Sequence, residues 1–439
     1  NKGARRVLSI ISLVSYVFTK VAVTVYAGGI VFKQVFGIES MFGIDFFWIS
    51  AIGLVVLTGI YTTLGGMRAV LATSVLQTPI LLVGSIVILV VGLIKVGGWS
   101  EVMEICRAVP VNDYGDSMTE LMRSAKDKDF PWTGVILGSA IIGFWYWCTD
   151  QFIVQRVLSG RNMTHSRRGA ILGAGFKLLP VFIFLIPGMI AYALNAKGMI
   201  VLPDSDTAFA VLVKELLPIG FKGLVVGGIL AALMSSLASL FNSSATLFTV
   251  DFYEKFRPQA TERELVRVGR IATVVVVVLG ILWIPVMKGL GKFLYAYLQD
   301  VQSMLAPGIA AVFLLGILSK RVTPKAGLWG LLIGFVLGMT RLGFNILGKG
   351  VQGDGFFYSI FVGMNNYNYE VILFFVVIVL MIIISYFTPR ADPAAIKGLY
   401  VGSVSAEQKA LIKASYNNWD LFFSGLIIVV IISFYVYFW

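Results

Sequence analysis

Long, nearly uninterrupted apolar runs dominate this chain and leave it little choice of solvent. A helix needs roughly 20 apolar residues to cross the hydrocarbon of a bilayer. Eleven stretches meet that length: 7–33, 45–64, 69–96, 132–156, 169–195, 221–249, 264–287, 292–318, 324–347, 369–388 and 420–438. The chain is 58% hydrophobic and 13% charged, and a soluble chain carries about twice that charged share. An all-α polytopic membrane protein is therefore expected. A porin-type barrel is excluded, because its strands are short and alternate apolar with polar residues.

The net charge of +12, from 35 Lys and Arg against 23 Asp and Glu, reads as topology rather than nucleic-acid binding. Segments 2–6, 156–168, 255–270, 320–325 and 390–413 are rich in Lys and Arg. They fall on one side if the chain alternates from a cytoplasmic N-terminus. Loops 97–131, 196–220 and 348–368 then lie opposite, and Trp439 lies outside. Cys106, in an outer loop, and Cys148, in a span, sit at different depths, so no disulfide is expected. His165 lies among Arg and Ser of an inner loop and reads as solvated. The N-terminus does not read as a signal peptide, and none is expected. The chain begins without Met and is expected to be truncated.

Polar groups inside hydrocarbon need a purpose or a water-lined neighbour. Lys20 lies about 14 residues into the first helix, or about 20 Å deep at the helical rise. Lys177 lies near two turns into the fifth span and can snorkel toward the inner side. Each reads as a functional cation or as half of an internal ion pair. In the sixth span Ser235, Ser239, Asn242 and Thr246 recur at four, three and four residues, which places them on one helical face. Two readings stand: close helix packing through small residues, or a weak oxygen site for a monovalent cation. Calcium would want carboxylates, and this span has none before Asp251. Hydroxyls cannot carry a proton as a carboxylate would, which favours sodium.

The eighth span opens Tyr295-Ala-Tyr297-Leu-Gln299-Asp300-Val-Gln302-Ser303 and meets Pro307-Gly308. Proline bends a helix. This is the wall of a midplane solute site, or an interfacial start followed by a kinked span. A Gly-Gly signal at Thr62-Thr63-Leu64-Gly65-Gly66 marks a second break at membrane depth. In Gly143-Phe-Trp-Tyr-Trp-Cys-Thr-Asp-Gln-Phe-Ile-Val-Gln-Arg156, three aromatics precede Asp150 and Gln151 within the span. Flat rings with polar tips suit the C–H faces and hydroxyls of a sugar. No nucleophile–base pair is apparent, and an enzyme is not expected.

Seven segments in order resemble sodium/glucose-type members of the sodium/solute symporter family. They are Tyr16-Val-Phe-Thr-Lys20, Thr63-Leu-Gly-Gly66, Trp145-Tyr-Trp-Cys-Thr-Asp-Gln-Phe-Ile-Val-Gln-Arg156, Phe176-Lys177-Leu-Leu-Pro180, Met234-Ser-Ser-Leu-Ala-Ser-Leu-Phe-Asn-Ser243, Leu247-Phe-Thr-Val-Asp251 and Pro307-Gly-Ile-Ala-Ala-Val-Phe-Leu-Leu315. The resemblance implies a leucine-transporter-type inverted-repeat fold with extra peripheral helices. It makes the first span similar to the third core helix, so the chain is expected to be N-terminally incomplete. Residues 1–318 would be the transport core, and 319–439 peripheral helices.

The resemblance also implies roles. Ala232 (by its carbonyl), Ser235 and Ser236 would bind sodium as the coupling ion, with no cofactor. Tyr146 would be an aromatic inner gate, Trp147 would line the cavity and Tyr295 would be a second aromatic wall. Lys177 and Gln299 would donate to sugar hydroxyls, and Lys20 would lie on the substrate side. Gly143 departs from the family's polar Thr or Asn, which puts the sugar in doubt. Ser74 departs from a frequent Asp, which favours one sodium per cycle. The expected function is a sodium-coupled symporter of a sugar or polyol, similar to glucose or galactose, in the plasma or inner membrane. The alternatives are a non-transporting solute sensor on the same fold, a symporter of another small solute such as myo-inositol, and an inactive truncated chain.

Overall fold

The computed structural model describes residues 2–289, 294–347 and 355–438, excepting the side chains of 61, 63–74, 76–77, 287–289 and 346–347. Trp439, Ser74 and the Gly65-Gly66 pair, all singled out by the sequence, therefore lie outside the described side chains. The chain is helical almost throughout. In order the helices are α1 (Lys2–Ser15), α2 (Ala22–Phe36), α3 (Phe46–Val96), α4 (Trp99–Arg107), α5 (Trp132–Cys148), α6 (Gln151–Leu158), α7 (Met163–Phe176) and α8 (Ile186–Ala196). They continue as α9 (Ala208–Leu216), α10 (Ile219–Phe248), α11 (Glu262–Gly289), α12 (Leu294–Leu318), α13 (Pro324–Leu347), α14 (Asn366–Phe387), α15 (Ala406–Ala414) and α16 (Asn418–Tyr437). Wider π-helical turns occupy Tyr16–Val21, Val181–Leu185, Thr249–Tyr253 and Ser359–Gly363. A two-stranded hairpin, β1 (Ser40–Met41) with β2 (Ile44–Asp45), is antiparallel.

Among the described residues, nine helices are long and apolar enough to cross a membrane, and Phe46–Ile60 and Trp132–Cys148 are shorter apolar helices. Together they account for all eleven runs read from the sequence. The protein is an integral, multi-pass membrane protein. Two boundaries differ from the sequence reading. The stretches 45–64 and 69–96 form one continuous helix of 51 residues. Conversely, the run 132–156 breaks at Thr149, whose φ of −129° and ψ of −18° are not helical. The Asp150 carboxylate then accepts from the Phe152 N–H at 3.1 Å and starts α6. An acid at that position satisfies one orphan donor of a new helix.

Contacts divide the chain into two compact units. The first comprises Asn1–Ser15, Met122–Gly173 and Ala296–Ser433. Its core gathers Ile11 of α1, Ile141 and Trp145 of α5, Ala306 and Ile309 of α12, and Tyr367, Leu373 and Val377 of α14. Lipid offers no hydrophobic drive between helices, so close packing through small residues takes over. A Cβ on Gly334 of α13 would stand 2.6 Å from the Gly308 Cα of α12, and one on Gly338 would stand 1.9 Å from the Met304 carbonyl oxygen. The α12–α13 seam is thus backbone against backbone. Where α14 begins, Asn365 caps it by accepting from the Tyr367 N–H at 2.8 Å.

The second unit comprises Tyr16–Leu121, Ala174–Tyr295 and Phe434–Trp439. Its core gathers Ile88 of α3, Val102 and Cys106 of α4, Ile190 and Leu194 of α8, Leu212 of α9 and Val225 of α10. Asp45 caps α3 by accepting from the Phe47 N–H at 2.9 Å. Lys33 Nζ braces the same turn, 3.0 Å from Glu39 and 3.1 Å from Asp45. Cys106 and Cys148 are both free, the first buried and the second exposed. Burial pushes the Cys106 thiol pKa up.

Candidate functional site

The candidate cation ligands lie on α10, in the second unit. Ala232, Ser235 and Ser236 span little more than one turn, and Ser235 is buried. Below them runs a ladder of hydroxyls. Ser239 Oγ donates to the Ser235 carbonyl at 3.0 Å, Ser243 Oγ to the Ser239 carbonyl at 2.8 Å, and Thr246 Oγ1 to the Asn242 carbonyl at 2.9 Å. Each hydroxyl thereby uses its proton on its own helix and keeps lone pairs as acceptors. This arrangement can offer neutral oxygens to a cation without a buried charge of its own. Among the described residues no three His, Cys, Asp or Glu come together as a transition-metal or calcium site would need.

Lys20 belongs to the same unit. It sits in the π-helical turn Tyr16–Val21, where an extra residue per turn re-aims side chains. Lys20 is buried, and its Nζ lies 4.8 Å from the centroid of the Tyr16 ring. A cation over an aromatic face is a stabilising partner that the sequence reading did not name. The turn is itself held by Phe18 stacked on Trp283 of α11 at 4.2 Å. Lys177 is exposed, at the interruption between α7 and the π turn Val181–Leu185. Its backbone N–H bonds the Ala174 carbonyl at 3.1 Å. Tyr295, in the first turn of α12, is exposed as well.

Tyr146, Trp147 and Gln299 belong to the first unit. Tyr146 and Trp147 end α5 just before its break, their rings meeting edge to face at 5.2 Å. Trp145 flanks Tyr146 at 6.2 Å and is buried, whereas Trp147 is exposed. Thr149 Oγ1 donates to the Trp145 carbonyl at 2.7 Å and closes the last turn of the helix. At Gly143 nothing stands within 4 Å of the place a Cβ would take, so the position has room for the polar side chain it lacks. Gln299 is half-buried, and its Nε2 donates to the hydroxyl of Tyr367 on α14 at 3.3 Å.

Three buried polar residues of this unit escaped the sequence reading. Tyr367 is one. Arg341, in the middle of α13, is 1% exposed. Its Nε donates to Asn366 Oδ1 at 2.9 Å, its two terminal nitrogens to the Ile360 and Met364 carbonyls, and its guanidinium covers the Tyr369 ring at 4.4 Å. An Arg deep in an apolar run is a signal that could have marked it. Glu370 is fully buried, neither carboxyl oxygen has a hydrogen-bond partner among the described residues, and one lies 3.0 Å from where a Gly138 Cβ would be. An acid in the first turn of a span passes for an interfacial residue, which hid it.

A sequence model of the Sodium:solute symporter family matches residues 1–334. The chain belongs to that family, whose members are transporters and not enzymes. It is 37% identical over 428 residues to sodium/glucose cotransporter 1 of Ovis aries, covering 89% of this chain and 63% of the relative. It is 38% identical over 361 residues to the sodium/mannose cotransporter SLC5A10 of Bos taurus, covering 77% and 59%. Sodium/myo-inositol cotransporter 2 of Oryctolagus cuniculus is 38% identical over 363 residues, covering 76% and 52%. The chain therefore spans between half and two thirds of the length of these relatives. Among solved structures it resembles a Na+-coupled sialic acid symporter in a substrate-bound, outward-open state, with a TM-score of 0.66 at 20% identity, covering 88% of this chain and 76% of that one. That likeness carries the leucine-transporter-type fold.

Proposed function

We propose that this chain acts in sodium-coupled secondary active symport of a sugar or polyol, working by alternating access. The observation that carries the reading is the α10 turn of Ala232, Ser235 and Ser236, in a chain whose relatives are named sodium/glucose, sodium/mannose and sodium/myo-inositol cotransporters. Neutral oxygens bind sodium weakly enough to release it each cycle. Sodium held there favours one conformation, and only such differential affinity can drive a solute cycle.

In this reading Ala232 offers its carbonyl and Ser235 and Ser236 their hydroxyls to sodium. Tyr146 stacks on the solute as the inner gate, with Trp147 and Tyr295 as further walls. Lys177 and Gln299 donate to solute hydroxyls, and Lys20 lies on the substrate side. Residues 1–318 act as the transport core and 319–439 as peripheral helices. The test is uptake of radiolabelled glucose, galactose and myo-inositol into proteoliposomes, using the product of the whole reading frame, with and without an inward sodium gradient. Sodium-dependent accumulation that Tyr146→Ala and Ser236→Ala abolish supports the symporter. Binding without uptake supports a sensor instead.

A further inference from the structure

Within the second unit, α3, α10 and α11 line a cavity of about 700 Å³ that the turn of Ala232, Ser235 and Ser236 does not enter. That volume falls in the range of small-molecule sites, about 300–1,000 Å³. Val56 and Ile60 of α3, Asn242 and Thr246 of α10, and Arg270 and Val274 of α11 line it. Its threonines bring few free donors. Thr62 Oγ1 donates to the Thr58 carbonyl at 2.7 Å, Thr246 to Asn242 at 2.9 Å, Thr249 to Ala245 at 2.6 Å and Thr273 to Gly269 at 3.0 Å. With those protons used on backbone, most of the wall is suited to hydrocarbon. Of its wall, Val56 and Val274 are 53% and 60% exposed. Both lie within apolar helices of a membrane protein, so the exposed part of the wall lies at membrane depth.

Arg270 breaks the apolar pattern. Arg263 and Arg267 precede it by seven and three residues, and all three are exposed. Positions 263, 267, 270 and 274 share one face of α11. A row of guanidiniums therefore leads along two turns into an apolar cavity. A molecule that complements both parts has an anionic head and a hydrocarbon tail. Guanidinium groups recognise phosphate by forked hydrogen bonds, and basic residues at a membrane surface draw anionic lipid.

We propose that this cavity is a binding site for an anionic phospholipid. The lipid comes from the leaflet at the N-terminal end of α11. One acyl chain lies between α3, α10 and α11, and the phosphate rests on Arg270 and Arg267. None of the proposed sodium ligands Ala232, Ser235 and Ser236, nor of the proposed solute residues, lines it, so the proposal holds or fails independently of the transport reading.

The test uses the purified protein in nanodiscs of phosphatidylcholine containing one part in five of phosphatidylglycerol. Lipid retained after transfer to mild detergent is identified by native mass spectrometry. The wild type is expected to keep phosphatidylglycerol in preference to phosphatidylcholine. Arg270→Gln is expected to cut that preference about fivefold, the effect of one basic residue at a membrane surface. Val274→Trp, on the exposed part of the wall, is expected to release both lipids while melting at the wild-type temperature in lipid-free detergent. If that variant does not fold, Ile60→Trp serves the same purpose. Equal retention of the two lipids, or retention unchanged in Arg270→Gln, overturns the proposal. So does a Val274→Cys variant, made with Cys148→Ser to remove the exposed native thiol, that a small maleimide cannot label in lipid-free detergent, since protein would then cover the cavity.

Discussion

Gln299 of α12 and Tyr367 of α14 are joined by a hydrogen bond of 3.3 Å from the amide nitrogen to the phenol oxygen. Tyr367 is 4% exposed and packed in the core of its unit, so the carboxamide is steadied by a rigid ring. If Gln299 contacts solute, Tyr367→Phe leaves the amide free to turn. A neutral hydrogen bond is worth about 0.5–1.5 kcal/mol, or about twofold to tenfold in KM for the solute. The maximal rate should stay unchanged, and initial-rate uptake against solute concentration separates the two.

The α10 turn gives a sharper expectation for sodium. Ser236→Ala removes one oxygen from the proposed site and should raise the half-saturating sodium concentration about tenfold to a hundredfold, the effect of one bond to a charged group. Ser239→Ala removes the bond to the Ser235 carbonyl, a neutral one, and should shift it no more than about tenfold. Sodium titration of solute uptake distinguishes them. Equal, small effects would place the cation elsewhere.

Gly143 offers a gain rather than a loss. The space beside it is open to 4 Å, so Gly143→Asn should fold with a melting temperature close to wild type. Asn is somewhat better tolerated within a helix than Gly, by about a few tenths of a kcal/mol, so the exchange adds no helix cost. The variant should change the order of preference among glucose, galactose and myo-inositol in competition uptake. An unchanged order would remove Gly143 from the solute wall.

Arg341 is the most heavily committed polar side chain of the first unit. Arg341→Lys keeps the charge but cannot reach Asn366 and two carbonyls from one planar group. The loss should be about 3 kcal/mol, read as a lowered melting temperature in detergent. Sodium affinity should not move.

Asp206 sets a pH dependence outside the spans. Its two carboxylate oxygens accept from the Leu294 N–H at 3.0 and 3.1 Å. Burial raises its pKa above the ordinary value; the Leu294 bond opposes this, and Asp204 adds to it. The folded state therefore holds the proton more tightly than the unfolded one, and stability falls as pH rises from the ordinary Asp range through the raised value. Melting temperature against pH should show this decline in the wild type, and Asp206→Asn should flatten it.

The spans were legible because lipid imposes one rule on every backbone group, and eleven apolar runs expressed it. The break at Thr149 was not. Asp150 is polar in either case, and only the backbone angles reveal that it caps a second helix. Ser235, Ser239, Asn242 and Thr246 declared a common face by spacing alone. The bond from Gln299 to Tyr367 left no such trace, since its partners are 68 residues apart. Arg341 was readable as an anomaly, but its partners at 360, 364 and 366 depend on a turn that spacing does not encode. Lys20 was recognised as deeply placed, yet its Tyr16 partner depends on a π turn that no periodicity announced.

The glycine seam between α12 and α13 bears on the order of assembly during synthesis. These helices are joined by a short connection, 319–323, and meet at Gly308 and Gly334 without an intervening side chain. They can close into a hairpin as soon as both have entered the bilayer. Arg341 must then wait, because the carbonyls and amide that receive it belong to residues the ribosome has yet to add. The hairpin thus enters the lipid carrying an unanswered guanidinium, and the arrival of α14 and the turn before it completes the unit.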